Sequence, residues 1–105
     1  MAFQPVGALL DACVLAVLSH NDTYGYELTQ TIQSALDISD STLYPVLRRL
    51  QKSGFLATYD QPFQGRNRRY YAITEAGRTQ CELYRKDWAA YRSSIDTLLA
   101  GGKER

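Results

Sequence analysis

Residues 41–52 read STLYPVLRRLQK and have the pattern of an amphipathic helix. Their apolar side chains recur at i, i+3, i+4 and i+7, a spacing that predicts one buried helical face. These apolar residues are Leu43, Val46, Leu47 and Leu50. We expect Pro45 in or near the first turn, because a proline deep inside a helix breaks it. The other positions carry hydroxyl, aromatic and basic side chains and are predicted to form the exposed face.

Two more helices are predicted before this segment. Residues 5–18 begin at Pro5, a residue suited to a first turn, and they are apolar on most sides, as in a helix with several neighbours. Residues 24–36 carry an apolar stripe at helical spacing and form the second helix. The linker 37–41 is rich in capping residues and separates this helix from the third.

A β-hairpin is predicted after Gly54, which is expected to end the third helix. The apolar period changes to two, and residues 55–59 and 68–73 are rich in types that favour strands. Between them, residues 61–67 are predicted to form a long loop with a basic tip.

A long C-terminal helix is predicted next, with Thr74 as its N-cap and an end near Ala100. At ~1.5 Å per residue its length is roughly 39 Å, too long for a small domain to cover. Its apolar residues alternate in steps of three and four, a heptad seam that predicts packing against a second copy of the chain. The seam consists of Cys81, Tyr84, Trp88, Tyr91, Ile95 and Leu98.

Charge is distributed unevenly along the chain, although the net charge is only +1. Residues 1–40 contain five acids and no Lys or Arg, whereas residues 41–78 contain seven bases and two acids. Residues 79–105 are close to balanced, at +1. Six of the seven central bases are arginines, which suit phosphate and guanine. A basic centre of this kind favours a polyanionic partner, and the alternative is a solvated surface.

Length and composition point to one soluble domain without a membrane span. The chain has 105 residues, 45% of them hydrophobic, and no apolar run approaches the ~20 residues of a transmembrane helix. No Lys or Arg precedes the first apolar stretch, so a secretory signal is not expected. Two cysteines, Cys13 and Cys81, are too few for a disulfide scaffold, which favours a reduced, cytoplasmic protein.

The residue inventory does not favour an enzyme. There is one histidine, His20, and we find no paired carboxylates at a plausible spacing and no glycine-rich phosphate loop. No cluster of ligand types has metal-binding spacing, so neither a metal nor a cofactor is predicted. His20 is expected to cap a helix end or lie at the surface.

The order helix–helix–helix–hairpin–helix predicts a mainly α fold with a small β-hairpin. We interpret residues 1–74 as a winged helix-turn-helix and residues 75–105 as a dimerisation helix with a tail. A third helix of this kind fits a DNA major groove, and the hairpin tip suits phosphates or a minor groove. The predicted DNA contacts are Ser41, Thr42, Tyr44, Pro45, Arg48, Arg49 and Lys52 on the helix, and Arg66, Asn67 and Arg68 on the tip. An adaptor that binds protein without sequence-specific DNA binding is the alternative.

Four motifs in order resemble the PadR family of bacterial transcriptional regulators. They are YGYEL at residues 24–28, STLYPVLRRL at 41–50, GFL at 54–56 and RYYAITEAGR at 69–78. The resemblance covers nearly the whole chain, and the short single C-terminal helix is similar to the smaller subfamily that includes multidrug-responsive repressors. It implies a homodimeric repressor that binds a palindromic operator and releases it when a ligand binds.

The resemblance also implies a ligand site. Members similar to the multidrug type carry a Trp on the last helix, where two copies face each other across a pore and stack flat aromatic ligands; Trp88 stands at the matching position. The neighbours implied for that pore are Tyr84, Tyr91 and Arg92, with Ala8, Asp11 and Ala12 of the first helix. Arg92 departs from the multidrug type, which is acidic there, and would favour neutral or anionic aromatics. Alternatively, Trp88 only anchors the dimer interface.

Overall fold

The computed structural model describes residues 8–101 and has the predicted winged-helix architecture. Its elements in chain order are α1 (Leu9–Leu18), β1 (Thr23–Tyr24), α2 (Gly25–Ala35), α3 (Asp40–Lys52), β2 (Leu56–Phe63), β3 (Arg66–Ile73) and α4 (Glu75–Leu99). The fold prediction is therefore confirmed, mainly α with a small hairpin and a long C-terminal helix. The predicted start of the first helix at Pro5 lies outside the described residues, as does the tail after Gly101.

The core forms where α1, α2 and α3 meet, and the start of α4 closes it. All four apolar residues of the α3 stripe are buried, as predicted. The largest side chains that are almost fully buried are Leu15, Leu18, Leu28, Leu43, Leu47 and Leu50. Cys81 of α4 is also buried in this cluster, so it contributes to the core of the protomer and not to the exposed seam predicted for it.

The N-terminal end of α3 differs from the prediction by one residue. Ser39 is the N-cap, and its Oγ accepts a hydrogen bond of 3.3 Å from the Thr42 N–H. Because the helix begins at Asp40, Pro45 is its sixth residue and lies in the second turn, not the first. This position is next to the first turn, as expected, and the proline is tolerated because the Ser41 carbonyl, which loses its donor four residues later, belongs to an exposed residue that water can reach.

The hairpin has a tight turn in place of the predicted loop over residues 61–67. β2 and β3 pair antiparallel from Leu56 opposite Ile73 to Phe63 opposite Arg66. Only Gln64 and Gly65 connect them, with φ of 52° and 80°. Two successive positive φ angles define a type I′ turn, whose twist matches that of the paired strands. Pro62, which suggested a loop, is accommodated because β2 is an edge strand.

A third strand, β1, is an addition that the sequence pattern did not predict. Thr23 and Tyr24 pair with Tyr71 and Tyr70 at the free edge of β3, giving the order β1-β3-β2. The sequence pattern places Tyr24 instead at the start of the second helix, over residues 24–36. Thr23 and Tyr24 form a strand because β3 offers an unpaired edge, which local sequence does not show.

α4 has the predicted limits and projects from the core. Thr74 is its N-cap and Ala100 its C-cap. The radius of gyration is 16.0 Å, against about 13 Å for a compact domain of this length, and the longest dimension is 63 Å. The 25-residue helix α4 contributes to this elongation, and its last residues, Leu98 and Leu99, are largely exposed. Within residues 8–101, no helix is both long enough and apolar enough to cross a membrane.

Candidate functional site

The outer face of α3 is polar, basic and open to solvent. The exposed residues there are Ser41, Thr42, Tyr44, Pro45, Arg48, Arg49 and Lys52. At its N-terminal end, the hydroxyls of Ser41 and Thr42 lie 2.9 and 3.2 Å from the Ser39 hydroxyl, which groups three hydroxyls at the start of the helix. Within residues 8–101, Arg48 has neither an ion pair nor a hydrogen bond, so its guanidinium is available to a partner.

Arg49 differs from Arg48 because it is already paired. Its Nη2 donates to Oδ1 of Asp11 on α1, and the two form an ion pair. The Asp11 side chain is only 10% exposed, whereas that of Arg49 is 55% exposed. The sequence suggested a DNA contact for Arg49 and a pore position for Asp11, and the structure brings these two residues together.

The hairpin, the wing of the fold, has a basic tip in which one arginine is held by aromatic rings. The guanidinium carbon of Arg68 lies 3.5 Å from the centre of the Phe63 ring and 3.9 Å from that of Tyr24. Such cation–π contacts hold a guanidinium in place. Arg66 and Asn67 are exposed beside it, around a cavity of about 360 Å³ at the turn.

The base of the wing is fixed by tyrosines. Tyr70 lies between Tyr24 and Tyr59, with ring centres 5.8 and 5.4 Å away. The Tyr59 hydroxyl donates a hydrogen bond of 2.7 Å to Oδ2 of Asp22, and this bond raises the pKa of Tyr59 because ionisation would break it. The wing is thereby joined to the loop after α1.

A groove runs between α1 and α4, and we call it the α1–α4 groove. It comprises two adjoining cavities of about 420 and 390 Å³. The lining residues are Ala8, Leu9, Ala12, Cys13, Ala16, Leu36, Cys81, Tyr84, Arg85, Asp87, Trp88 and Tyr91. The ring centres of Trp88 and Tyr91 lie 6.2 Å apart with an interplanar angle of 42°, and both residues line the larger cavity.

Five of the seven residues suggested for a ligand line this groove: Ala8, Ala12, Tyr84, Trp88 and Tyr91. Arg92 is not among the lining residues of either cavity. The sequence interpretation missed the seven other lining residues, and the acidic one among them is Asp87. Its position three residues after Tyr84 and one before Trp88 could have identified it.

Burial changes the pKa of two groups in the groove. The thiol of Cys13 is partly desolvated, which raises its pKa. Burial also raises the pKa of Tyr84, and the negative charge of Asp11 adds to this effect. Among the described residues, no group of three or more His, Cys, Asp or Glu side chains is placed to hold a metal ion.

Two arginines of α4 tie it to the end of α1. Arg78 donates to the Ser19 carbonyl at 3.2 Å, and Arg85 donates to the Ser19 hydroxyl at 3.3 Å while pairing with Glu82. Beyond this point the apolar side chains of α4 are only partly covered by the rest of the described chain: Trp88, Tyr91 and Leu98 are 40%, 55% and 70% exposed.

Comparisons with known proteins agree with this architecture. The chain matches the Transcriptional regulator PadR-like family over residues 14–83. The crystal structure of smu.1704 from Streptococcus mutans UA159 is 40% identical with a TM-score of 0.88, covering 100% of this chain and 99% of that one. The PadR-like transcriptional regulator BC4206 from Bacillus cereus strain ATCC 14579 is 30% identical with a TM-score of 0.82, covering 90% and 94%. An uncharacterized protein designated X from Lysinibacillus sphaericus is 34% identical over a 97-residue alignment that covers 88% of this chain and 89% of that protein. Because the family match spans more than half of the chain and these relatives align over most of it, the protein belongs to the PadR-like family of transcriptional regulators.

Proposed function

We propose that the protein is a homodimeric repressor that binds a palindromic DNA operator and releases it when a small aromatic ligand binds in the α1–α4 groove. The observation that carries the proposal is the exposed, unpaired Arg48 on a basic α3 face, beside a wing with exposed Arg66 and Asn67. The family of transcriptional regulators to which the chain belongs implies DNA binding.

The proposed DNA interface consists of α3 and the wing tip. α3 enters the major groove, where Arg48 contacts a guanine edge or a phosphate and the hydroxyls of Ser41 and Thr42 bond phosphates or bases. Tyr44, Pro45 and Lys52 share this exposed face. On the wing, Arg66 and Asn67 reach the backbone or a minor groove, while Arg68 stiffens the tip through its aromatic contacts.

The proposed dimer forms through the outer half of α4. Trp88, Tyr91 and Leu98 form an exposed apolar stripe, with half-buried Ile95 in line with them. A stripe of this size on a projecting helix favours association, because burying it removes a large apolar area from water. Tyr84 extends the seam toward the core.

The proposed ligand is planar, aromatic and uncharged or cationic. Trp88 and Tyr91 offer stacking surfaces, and the carboxylate of Asp87 lines the same cavity. Asp87 lines the larger cavity, whereas Arg85 lines only the smaller one and Arg92 lines neither. The larger cavity therefore favours a positive charge on the ligand, contrary to the preference that Arg92 suggested. Trp88 then serves both the interface and the ligand.

Arg48→Ala tests the DNA interface. We expect the variant to bind a selected operator duplex with ~1–3 kcal/mol less free energy, and the slope of log affinity against log salt to fall by about one unit if the contact is a phosphate. Lys86→Ala, on the side of α4 away from the groove, is the matched control and should bind like the wild type. Equal binding by Arg48→Ala and wild type would contradict the proposed role. A wild-type protein without salt-dependent duplex binding would instead favour the adaptor alternative.

Fluorescence tests the ligand site, because Trp88 is the only tryptophan. Titration with planar aromatic cations should quench its emission and release labelled duplex over the same concentration range. Asp87→Asn should weaken the binding of cationic compounds more than that of neutral ones. Absence of quenching across a broad aromatic panel would contradict the ligand proposal.

A further inference from the structure

The ion pair between Arg49 and Asp11 joins α3 to α1 at a partly buried point. Asp11 is an acid within the apolar helix LLDACVLAVL, and its side chain is 10% exposed. A carboxylate in such a place is stable only when it is paired or hydrogen-bonded. Arg49 supplies that partner from 38 positions along the chain. The direction of the Arg49 side chain is therefore set by α1.

The ion pair also lies close to the contact between α3 and the rest of the protein. The apolar residues of α3 pack into the core that α1 helps to form. Apolar packing has no directional preference, and it permits small rotations and shifts of a helix. A guanidinium–carboxylate bond is directional, so it selects one orientation of α3 among those that the packing allows. The neighbouring Arg48, one residue earlier, is exposed and unpaired within the described chain.

We propose that Arg49 is a positioning residue, which holds α3 in its DNA-binding orientation through Asp11 and does not itself contact DNA. The inference rests on the proposed function, because it concerns the geometry of the same DNA interface. Two adjacent arginines then have separate tasks: Arg48 contacts the operator, and Arg49 orients the helix that carries Arg48.

Salt dependence distinguishes a positioning residue from a contact. Each phosphate contact contributes about one unit to the slope of log affinity against log salt. A residue that acts only through α3 orientation lowers affinity while the number of contacts, and so the slope, changes little. Two residues that act through one bond also give a non-additive double variant, because the second substitution removes nothing further.

The experiment measures binding of a fluorescein-labelled duplex, selected from a random pool by the wild-type protein, across a salt series. Asp11→Asn, Arg49→Gln and the double variant are compared with wild type and with Arg48→Gln. We expect Asp11→Asn and Arg49→Gln each to weaken binding roughly tenfold, the double variant to bind no more weakly than either, and all three to retain the wild-type slope. Arg48→Gln should lower the slope by about one unit if its contact is a phosphate.

The double variant keeps the test decisive where a single variant is unstable, because it leaves no buried charge without a partner. A slope reduced by about one unit in Arg49→Gln or in the double variant would identify Arg49 as a phosphate contact and overturn the inference. Wild-type affinity in a folded Asp11→Asn or double variant would overturn it as well. If the wild type itself shows no salt-dependent binding, the proposed function fails first.

Discussion

At the residue scale, Thr74 connects the turn between α3 and β2 to the start of α4 through two hydrogen bonds. Its Oγ1 accepts from the Gly77 N–H at 3.0 Å and donates to the Gly54 carbonyl at 2.7 Å. We predict that Thr74→Ala lowers the free energy of unfolding by about 1–2 kcal/mol, because an N-cap is lost. Urea denaturation at a fixed chain concentration measures this. Thr79→Ala, at an exposed site of the same helix, is the control, and an equal effect of both substitutions would contradict the capping role.

The bond from Tyr59 to Asp22 gives a second residue-scale prediction. The bond raises the pKa of Tyr59 above its ordinary value of 10.0, so the stability that it provides is present below that pH and is lost as pH rises through the raised pKa. Asp22→Ala should return the pKa of Tyr59 toward the ordinary value. NMR of ¹³C-labelled tyrosine measures this directly. Asp60→Ala, beside Tyr59 in β2, should leave the pKa unchanged, and an unchanged pKa in Asp22→Ala would refute the assignment.

At this scale the sequence predicts which segments carry exposed basic residues, but it does not predict where each of these side chains points. It assigned Arg48, Arg49 and Arg68 alike to DNA, because all three are basic residues on predicted exposed segments. The structure distinguishes them by tertiary partners: Arg49 pairs with Asp11, and Arg68 lies against two rings. Those partners are distant in sequence, so no local pattern contains them.

At the element scale, the close packing of α4 against Phe55 and Ile73 depends on Gly77 in the first turn of the helix. A Cβ at Gly77 would lie 2.2 Å from the Phe55 carbonyl oxygen and 2.8 Å from Cγ1 of Ile73. We predict that Gly77→Ala lowers the free energy of unfolding by about 1–3 kcal/mol, because the helix must move away from backbone that cannot yield easily.

Gly25 in the first turn of α2 is the matched control for this prediction. A Cβ there would lie 3.5 Å from Cε1 of Tyr71, an ordinary contact. Gly25→Ala should therefore be neutral or stabilising by up to about 1 kcal/mol, since alanine favours helix more than glycine. Thermal unfolding of both variants measures the difference between their stabilities. A tolerated Gly77→Ala would contradict the close approach of α4 to Phe55.

The helices were predictable from sequence at this scale because each has a helical run of apolar residues, and α3 and α4 also have capping side chains, Ser39 and Thr74. The limits of α4 at Thr74 and Ala100 follow from capping chemistry alone. The short strand β1 was not predictable, since two residues carry no periodicity and their pairing with β3 is a tertiary contact. The wing turn was missed because Pro62 and Gly65 together are typical of a loop, while the strand pairing extends past Pro62.

At the scale of the whole molecule, the proposed dimer depends on the outer half of α4. We predict that Tyr91→Lys converts the dimer to a monomer in light scattering at micromolar concentration, because it places a charge within the apolar stripe. Tyr91 is 55% exposed in the protomer, so the fold itself should survive. Ala89→Lys adds the same charge to the same helix away from the seam and should remain dimeric. A dimeric Tyr91→Lys variant would exclude this seam.

The heptad spacing of apolar residues along α4 is visible in the sequence, but the residue at which the exposed part of this seam begins is not. Cys81 fits the spacing of three and four and yet is buried in the core, because the first turns of α4 cover α1. The groove beside it was suggested only by family resemblance. Its acidic member Asp87 became visible once α1 and α4 were placed together.

In the proposed complex, two copies hold their α3 helices at a fixed separation along DNA. Sequencing of duplexes that the wild-type protein selects from a random pool measures this arrangement. We expect an inverted repeat whose half-sites are centred about one helical turn apart, ~34–36 Å, and loss of that enrichment in Arg48→Ala. Selection of a single asymmetric site, or no enrichment of any sequence, would contradict this arrangement.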